Sequence, residues 1–274
     1  MEAAYMKQRW LEIAKRAVIE ARRAVIDSLN KGGKRAVKVG ASGDESLEVD
    51  VAAEDAIVKV LREELTKATL VSEELGVVDW GGGGPPYVFV DPLDGSLNAK
   101  RGYPCFSSMV ALASGAKLMD VEVTATLNLL TGDLYCAVKG EGATLNDREV
   151  KTSDVTRLSE ALVSIDFSKK GRPEGYALKI APIIETARYV RFLGSNSLEV
   201  SLVATGACDA FIDLRGDLRI LDVAGPILMV REAGGAVYIE PGGLNVEVGV
   251  DSKVKLIVAG RAELIEEVLS RVEV

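Results

Sequence analysis

Hydrophobic positions in the first half of the chain recur at two spacings, one helical and one extended. From about residue 4 to 29 they fall every three or four residues, which predicts one long amphipathic helix that stops near residues 30–33. The polar, glycine-bearing stretch 34–46 predicts a mobile loop, and a second helix is predicted at about 51–67. Short apolar runs between turn residues then predict neighbouring strands of an antiparallel sheet at 69–71, 87–90, 107–113, 120–127, 133–138 and 143–145.

Strands and helices alternate in the second half, which predicts helices packed on a second sheet. The predicted strands lie at 162–166, 189–192, 210–213, 236–239 and 255–258, and the predicted helices at 174–185, 197–205, 222–232 and 262–271. The fold class is therefore α/β (α+β). We expect an N-terminal α+β half, residues 1–147, and a C-terminal α/β half, residues 148–274, without a true linker.

Composition narrows the class of protein and its partners. Of the 274 residues, 48% are apolar and 27% charged, and no run approaches the roughly 20 apolar residues of a membrane span. The N-terminus lacks the basic-then-apolar order of a signal peptide, so we expect a cytoplasmic protein without a membrane partner. A net charge of −8 disfavours a nucleic-acid partner.

The absence of histidine restricts the chemistry. It excludes Ser-His-Asp and Cys-His catalysis, His-ligated zinc and a histidine general base. Hydrolysis would have to depend on carboxylates, hydroxyls, lysine or a metal with oxygen ligands, and hard oxygen ligands favour Mg²⁺, Mn²⁺ or Ca²⁺. Cys105, Cys136 and Cys208 have no metal-site spacing and are interpreted as small buried residues, with a disulfide as the alternative.

Asp91 and Asp94 directly follow an apolar strand and are three residues apart. Two carboxylates so close repel each other, and a divalent cation between them removes that conflict. Residues 95–98 could open a helix whose free amides face an anion, and metal plus amides suit phosphoryl transfer. The alternative is a solvated, aspartate-rich turn with a helix cap.

Three further acidic segments bear on this choice. Glu73 and Glu74 follow another apolar strand, and Asp222 lies inside an apolar stretch, where an unpaired charge would be expensive. Asp50 and Glu54 share a helix face, and from their spacing alone a solvated face is the better interpretation.

Several segments, in order along nearly the whole chain, resemble the inositol monophosphatase family. Residues 88–98, VFVDPLDGSLN, are similar to its DPxDGTxN signature, and residues 221–226, followed by 232–235, resemble WDxAAG and EAGG. Residues 72–74 match the family's glutamate pair, and residues 194–211 look like its substrate-side segment. The resemblance implies the layered α/β/α/β/α sandwich of the sugar phosphatase superfamily, and a homodimer.

The resemblance also implies a magnesium phosphatase with two or three ions, Mn²⁺ being the alternative ion. Asp94 would bridge the ions, and Glu73 and Ser96 would orient the attacking water. Glu74 and Asp50 would serve a weaker third ion or support the other ligands. The implied metal ligands are Glu73, Asp91, the Leu93 carbonyl, Asp94 and Asp222.

The substrate side is also implied by the resemblance. The amides of Gly95 and Ser96 would hold the phosphate, and Asp213 would contact substrate hydroxyls. The loop carrying Lys38 and Asp44 would close over the site. Asp94, Gly194, Ser195 and Arg215 complete the expected substrate contacts.

Departures from the family pattern leave the substrate open. Residues 214–221 form a longer segment than in the animal inositol enzymes. With the compact length of the chain, this segment looks closest to the archaeal members, which are similar to enzymes that act on both inositol monophosphate and fructose 1,6-bisphosphate, and dual activity is the favoured expectation. Arg215 or Arg219 could reach a second phosphate there, as could Arg191 or Lys170, although solvation is an equal alternative for each. The expected partner is a small phosphorylated metabolite. The alternatives are a 3′-phosphoadenosine 5′-phosphate or NADP(H) phosphatase, a catalytically idle metal- or phosphate-binding regulatory protein, and a purely structural oligomerisation module.

Overall fold

The computed structural model describes residues 2–41, 43 and 45–272. Its helices are α1 (Glu2–Asn30), α2 (Glu48–Glu64), α3 (Ser96–Arg101), α4 (Tyr176–Thr186), α5 (Asn196–Ala204), α6 (Ile220–Glu232) and α7 (Ala262–Ser270). The strands of the first half are β1 (Ala36–Val39), β2 (Glu45–Leu47), β3 (Ala68–Ser72), β4 (Gly76–Trp80), β5 (Tyr87–Asp94), β6 (Ser107–Ala113), β7 (Val121–Asn128), β8 (Leu134–Val138), β9 (Gly142–Leu145) and β10 (Arg148–Glu149). Those of the second half are β11 (Leu162–Ile165), β12 (Tyr189–Arg191), β13 (Ala210–Arg219), β14 (Ala236–Glu240) and β15 (Lys253–Ala259).

Two sheets organise the molecule. The first has eight strands in the order β10-β9-β8-β7-β6-β5-β3-β4, antiparallel except for the parallel pair β3 and β5. The second has five strands in the order β12-β11-β13-β15-β14, with β11 parallel to both β12 and β13. Because β10 pairs with β9, the first sheet extends to Glu149, two residues beyond the predicted half. The division into two halves stays a prediction.

Three apolar clusters hold five layers of helices and sheets together, and the middle cluster covers both sides of one helical layer. One joins α1 and α2 to the outer face of the first sheet, and the next fills the space between the sheets around α5 and α6. The third joins α4 and α7 to the outer face of the second sheet. The predicted α/β/α/β/α sandwich is confirmed. None of the described helices combines the length and apolarity needed to cross a membrane.

Helix α6 lies between the two sheets and is buried on all sides from Ile220 to Val230. Its close packing depends on Gly225, where an added Cβ would lie 2.1 Å from the Thr124 hydroxyl oxygen and 2.9 Å from the Met109 sulfur. This packing fixes the first turn of α6, which carries Asp222, against the first sheet.

Most predicted elements are confirmed within a few residues. The differences are the β1–β2 ribbon, the unpredicted strands β4 and β10, the start of α2, and β13, which ends at Arg219 and not at the predicted residue 213. The stretch 34–46 was expected to be a loop, but β1 and β2 pair there as an antiparallel ribbon. Helix α2 begins at Glu48, earlier than predicted, because the Asp50 carboxylate accepts the Leu47 amide at 2.6 Å and so caps the first turn. The three cysteines are buried and unbridged, as expected.

Candidate metal centre and active site

The two aspartates of the DPLDGS segment lie at a break in the pairing of β5 with β6. Asp91 pairs with Met109 and Asp94 with Ser107, so β5 holds one more residue than β6 between these points. Such bulges redirect side chains and are common beside active sites. Pro92 lies within the bulge, where its missing amide costs no ladder hydrogen bond.

Asp91 is buried, and neither of its carboxylate oxygens has a hydrogen-bond partner. Burial, together with the nearby charges of Glu73, Asp222 and Asp94, raises its pKa well above the usual range. Oδ1 of Asp222 accepts no hydrogen bond, although it lies 3.1 Å from the Arg219 Nε, and burial raises the pKa of Asp222 to about 7. Orphaned, buried carboxylate oxygens are costly, and a hard divalent cation would satisfy them. The donor chemistry here therefore fits Mg²⁺.

Arg219 lies among these carboxylates. Its Nη1 is 2.5 Å from Oε1 of Glu73, and its Nε is 3.1 Å from both oxygens of Asp222. Burial acts to lower the pKa of Arg219, but the charges of Asp222, Glu73 and Asp91 outweigh it and raise the pKa. The sequence offered Arg219 only as a contact for a second phosphate, and its pairing with two expected metal ligands was missed.

The side chains of the expected metal ligands point in different directions. Within residues 2–41, 43 and 45–272, no set of three or more carboxylate or thiol side chains is placed closely enough to hold an ion. Glu73 and Asp222 direct oxygens towards Arg219, while Asp94 faces helix α5. An ion bound by Glu73 and Asp222 would therefore share their carboxylates with Arg219.

Asp94 joins the first sheet to the start of α5. Its carboxylate accepts hydrogen bonds from the Ser195 hydroxyl at 2.6 Å, the Ser197 amide at 2.8 Å and the Asn196 amide at 3.1 Å. These bonds satisfy amides at the helix start that lack intrahelical partners. Asp94 and Ser195 are thus brought together as expected, whereas the bridging of two ions by Asp94 stays a prediction.

The start of α3 brings Ser96 and Asp50 into contact. The Ser96 hydroxyl lies 2.8 Å from Oδ1 of Asp50 and 2.9 Å from the Leu93 carbonyl, the expected main-chain metal ligand. Gly95 has φ 84°, and an added Cβ there would approach the carbonyls of Cys105 and Gly194 to 3.0 and 3.3 Å. The turn therefore requires glycine at the position where the phosphate is expected to bind.

The expected solvated face of Asp50 and Glu54 is wrong, because both side chains are buried. Burial raises the pKa of Asp50 to about 6 and that of Glu54 to about 7. Glu54 accepts hydrogen bonds from the Ser72 hydroxyl and, at 3.2 Å, from the Leu75 amide. These contacts fix the segment that carries Glu73, a supporting role that helical spacing could not indicate.

Glu74, a weaker metal candidate, faces the β1–β2 ribbon. Its Oε2 accepts a hydrogen bond from the Ser46 hydroxyl and lies 3.8 Å from the Lys38 ammonium. Burial raises the pKa of Glu74. Asp44, the other residue expected to close over the site, lies outside the described residues.

Asp213 and Arg215 form a buried ionic group with Asp166. Nη2 of Arg215 is 2.6 Å from a carboxylate oxygen of each aspartate, and the guanidinium also donates to the carbonyls of Ser168 and Lys170. Burial raises the pKa of Asp213. The sequence placed Asp213 and Arg215 on the substrate side but gave Asp166 no role. Their contacts with substrate stay predictions, because both side chains are engaged with each other.

Glu199 is a supporting residue that the sequence interpretation missed. It accepts the amides of Leu193, Gly194 and Ser195 at 3.2, 3.0 and 3.1 Å, and so fixes the turn expected to contact substrate. Burial raises its pKa to about 7. The available signal was a glutamate within the apolar stretch 198–203, four residues after Ser195.

A cavity of about 400 Å³ opens beside Asp222. Both signs of charge line it, with Lys170, Lys253 and the two arginines Arg215 and Arg219 on the basic side. The acidic and polar part of the wall includes Asp166, Ser168, Asn196, Asp217 and Asp251. A volume of this size suits a small phosphorylated metabolite next to Asp222, one of the expected metal ligands.

The sequence matches the profile of the inositol monophosphatase family over residues 6–273. The chain belongs to the inositol monophosphatase family. It is 36% identical over 277 residues to a fructose-1,6-bisphosphatase/inositol-1-monophosphatase of Methanothermobacter thermautotrophicus, covering 97% of each chain. It is also 32% identical over 242 residues to a bifunctional NADP phosphatase/NAD kinase of Methanococcus maripaludis, covering 81% of this chain and 42% of that protein.

Solved structures of the inositol monophosphatase family agree with the fold. The crystal structure of an inositol monophosphatase–fructose 1,6-bisphosphatase has a TM-score of 0.83 with this chain at 30% identity. The match covers 96% of this chain and 99% of the other. The family assignment inferred from the DPLDGS and glutamate-pair segments is therefore confirmed, and metal binding is typical of this family.

Proposed function

We propose that this chain is a Mg²⁺-dependent phosphomonoesterase that hydrolyses inositol 1-phosphate and fructose 1,6-bisphosphate. The observation that carries the proposal is the buried Asp91 carboxylate, neither of whose oxygens has a hydrogen-bond partner, together with the Ser96 hydroxyl that Asp50 holds in place. Stability alone gives no reason to bury carboxylate oxygens that have no hydrogen-bond partner. The dual activity named for the archaeal relative supports the substrate pair.

Each group has a chemical role in this proposal. Glu73, Asp91, Asp94, Asp222 and the Leu93 carbonyl would hold the ions. Bound Mg²⁺ would neutralise charge on the transferring phosphoryl group and activate water.

The hydroxyl of Ser96 and the turn at the start of α5 supply the remaining groups. The Ser96 hydroxyl donates a hydrogen bond to Asp50, so the lone pairs of its oxygen can accept a hydrogen bond from the attacking water and orient it. Gly194 and Ser195, held in place by Glu199, would contact the substrate hydroxyls. Asp94 keeps that turn aligned with the phosphate.

Phosphate release tests this function directly. Inositol 1-phosphate, fructose 1,6-bisphosphate, glycerol 2-phosphate, NADP⁺ and 3′-phosphoadenosine 5′-phosphate would be assayed at ~10 mM Mg²⁺, each with an EDTA control, a concentration suited to weakly held Mg²⁺. We expect metal-dependent release from the first two, absent in Asp91→Asn. Release from none of the five would reject the phosphatase and favour an idle metal- or phosphate-binding regulator.

A nucleotide phosphatase is the second candidate, and one observation favours it. Phe167 and Phe192, with ring centroids 5.9 Å apart, line a cavity of about 380 Å³ that also includes Asp166 and Gly194. Phe192 is 51% exposed, and a planar base could stack on it. The NADP phosphatase named among the relatives supports this reading.

Substitution of Phe192 separates the two candidates. If nucleotides are substrates, Phe192→Ala should raise KM for NADP⁺ several-fold and leave KM for inositol 1-phosphate unchanged. Tyr189→Ala is the matched control, because Tyr189 is equally exposed at 51% but does not line this cavity. Equal effects of Phe192→Ala on both substrates would reject base stacking.

Homodimer formation and cytoplasmic residence are further proposals, and they rest on the family resemblance and the sequence. Light scattering after size-exclusion chromatography would test the first. A mass near twice 29.2 kDa is expected, and a mass of one chain would reject it.

A further inference from the structure

Arg219 binds the oxygens that a metal ion would need. Its guanidinium contacts Glu73 and Asp222, two of the expected ligands, and its side chain is only 16% exposed. The charge of Asp91 is close enough to raise the pKa of the same arginine. A permanent positive charge therefore lies within the carboxylate cluster.

A divalent ion would have to share these carboxylates with the guanidinium, and the two positive charges repel each other. Mg²⁺ requires its ligands at about 2.0–2.1 Å in near-octahedral geometry. Nη1 of Arg219 contacts Oε1 of Glu73 at 2.5 Å, and its Nε lies 3.1 Å from both oxygens of Asp222. An ion that binds the same oxygens of Glu73 and Asp222 would therefore weaken or displace their bonds to Arg219.

We infer that Arg219 competes with the divalent cation for Glu73 and Asp222 and so lowers the protein's affinity for the metal. The inference rests on the proposed metal-dependent function and deepens it. The arginine stabilises the carboxylates by charge pairing, so the free energy of metal binding includes the loss of these pairs.

The same side chain couples metal to phosphate. Arg219 also lines the cavity of about 400 Å³, where Lys170, Lys253 and Arg215 contribute further positive charge. A phosphate bound there would offer its own oxygens to the guanidinium, in place of the oxygens of Glu73 and Asp222. Phosphate should thus favour metal binding, and by linkage the metal should favour phosphate by the same factor.

Isothermal titration with Mg²⁺ or Mn²⁺ alone, with and without inorganic phosphate, tests the inference. We expect Arg219→Gln to bind the metal at least several-fold more tightly than the wild type when phosphate is absent. Phosphate should tighten metal binding to the wild type and have less effect on the variant. Lys253→Gln is the matched control, because it removes one positive charge from the same cavity but Lys253 pairs with Asp217.

The possible outcomes distinguish failure of the competition by Arg219 from failure of the proposed metal-dependent function. Equal or weaker metal affinity in folded Arg219→Gln, or an equal gain in Lys253→Gln, overturns competition by Arg219 while leaving the metal centre intact. Absence of metal binding to the wild type at millimolar concentrations overturns both. Should Arg219→Gln fail to fold in EDTA, Arg219→Lys keeps the charge but loses the planar fork. It should then show the tighter metal binding, and unchanged affinity in this variant counts against the inference.

Discussion

The hydroxyl oxygen of Ser96 lies 2.8 Å from the Asp50 carboxylate, which also accepts the Leu47 amide at 2.6 Å. One carboxylate thereby joins the first turn of α2 to the first turn of α3. The sequence offered Asp50 as a weaker metal candidate, but its hydrogen bonds are those of a residue that positions Ser96.

Asp50→Asn should separate positioning from metal binding. The amide can present its NH₂ group to Ser96, which turns the hydroxyl proton towards the attacking water. We expect kcat to fall on the order of 100-fold, a loss typical of proton-transfer groups. Calorimetry with Mn²⁺ should give unchanged stoichiometry and affinity. If calorimetry instead shows that Asp50→Asn binds one Mn²⁺ ion fewer than the wild type, Asp50 is a metal ligand and not a residue that positions Ser96.

Asp91→Asn and Asp94→Asn should both abolish most activity but should change stability in opposite directions. Asp91 has no hydrogen bonds to lose, so its neutralisation in EDTA at pH 8 should raise Tm by about 2 °C or more, roughly 1 kcal/mol for a chain of this size. Asp94 caps α5, so its amide variant should be less stable by ~1 kcal/mol. Thermal unfolding measures both, and stability shifts of the same sign in the two variants would contradict the assigned contacts.

Arg215→Ala should mainly lower the free energy of unfolding. It would leave Asp166 and Asp213 buried without a counter-charge, a change that costs about 3–5 kcal/mol in buried ion pairs. Urea unfolding measures the loss. Arg191→Ala is the control, because Arg191 is exposed and its guanidinium donates to the neighbouring Val190 carbonyl. If Arg215→Ala is as stable as the control, its loss of fructose 1,6-bisphosphate hydrolysis relative to inositol 1-phosphate becomes a direct test of the second-phosphate contact.

Glu199 should make stability depend on pH. Burial raises its pKa from 4.5 to about 7, so the folded protein retains a proton that the unfolded chain releases between these values. Its contribution is therefore fully present below about pH 4.5 and is lost as the pH rises through 7. The free energy of unfolding of Glu199→Gln, subtracted from that of the wild type, should show this slope. A flat difference between pH 4.5 and 7 would reject the raised pKa.

The sequence predicted the layers well because apolar spacing records burial directly. Alternating strands and helices in the second half were enough to predict a second sheet covered by α4 and α7. The ribbon of β1 and β2 was missed because its strand β1 is exposed along its whole length, so no apolar alternation marks it.

The acidic site was recognisable in parts. Asp91 and Asp222 stand out as charges inside apolar runs, whereas Asp50 and Glu54 look like an ordinary polar helix face until tertiary packing buries them. The pairing of Arg219 with Glu73 joins residues 146 positions apart, and no local pattern carries that information. Partners across the two halves become visible only with the fold.

The segment around Asp222 also has a structural role, which depends on Gly225. Its lack of a side chain accommodates Thr124 and Met109, so part of the motif is required by contact between a central helix and a sheet rather than by catalysis. A descendant of this protein that had lost its activity would still need the glycine to fold, although it could discard the aspartate. Among distant relatives, a glycine at position 225 therefore indicates the shared fold, whereas a carboxylate at position 222 indicates retained activity.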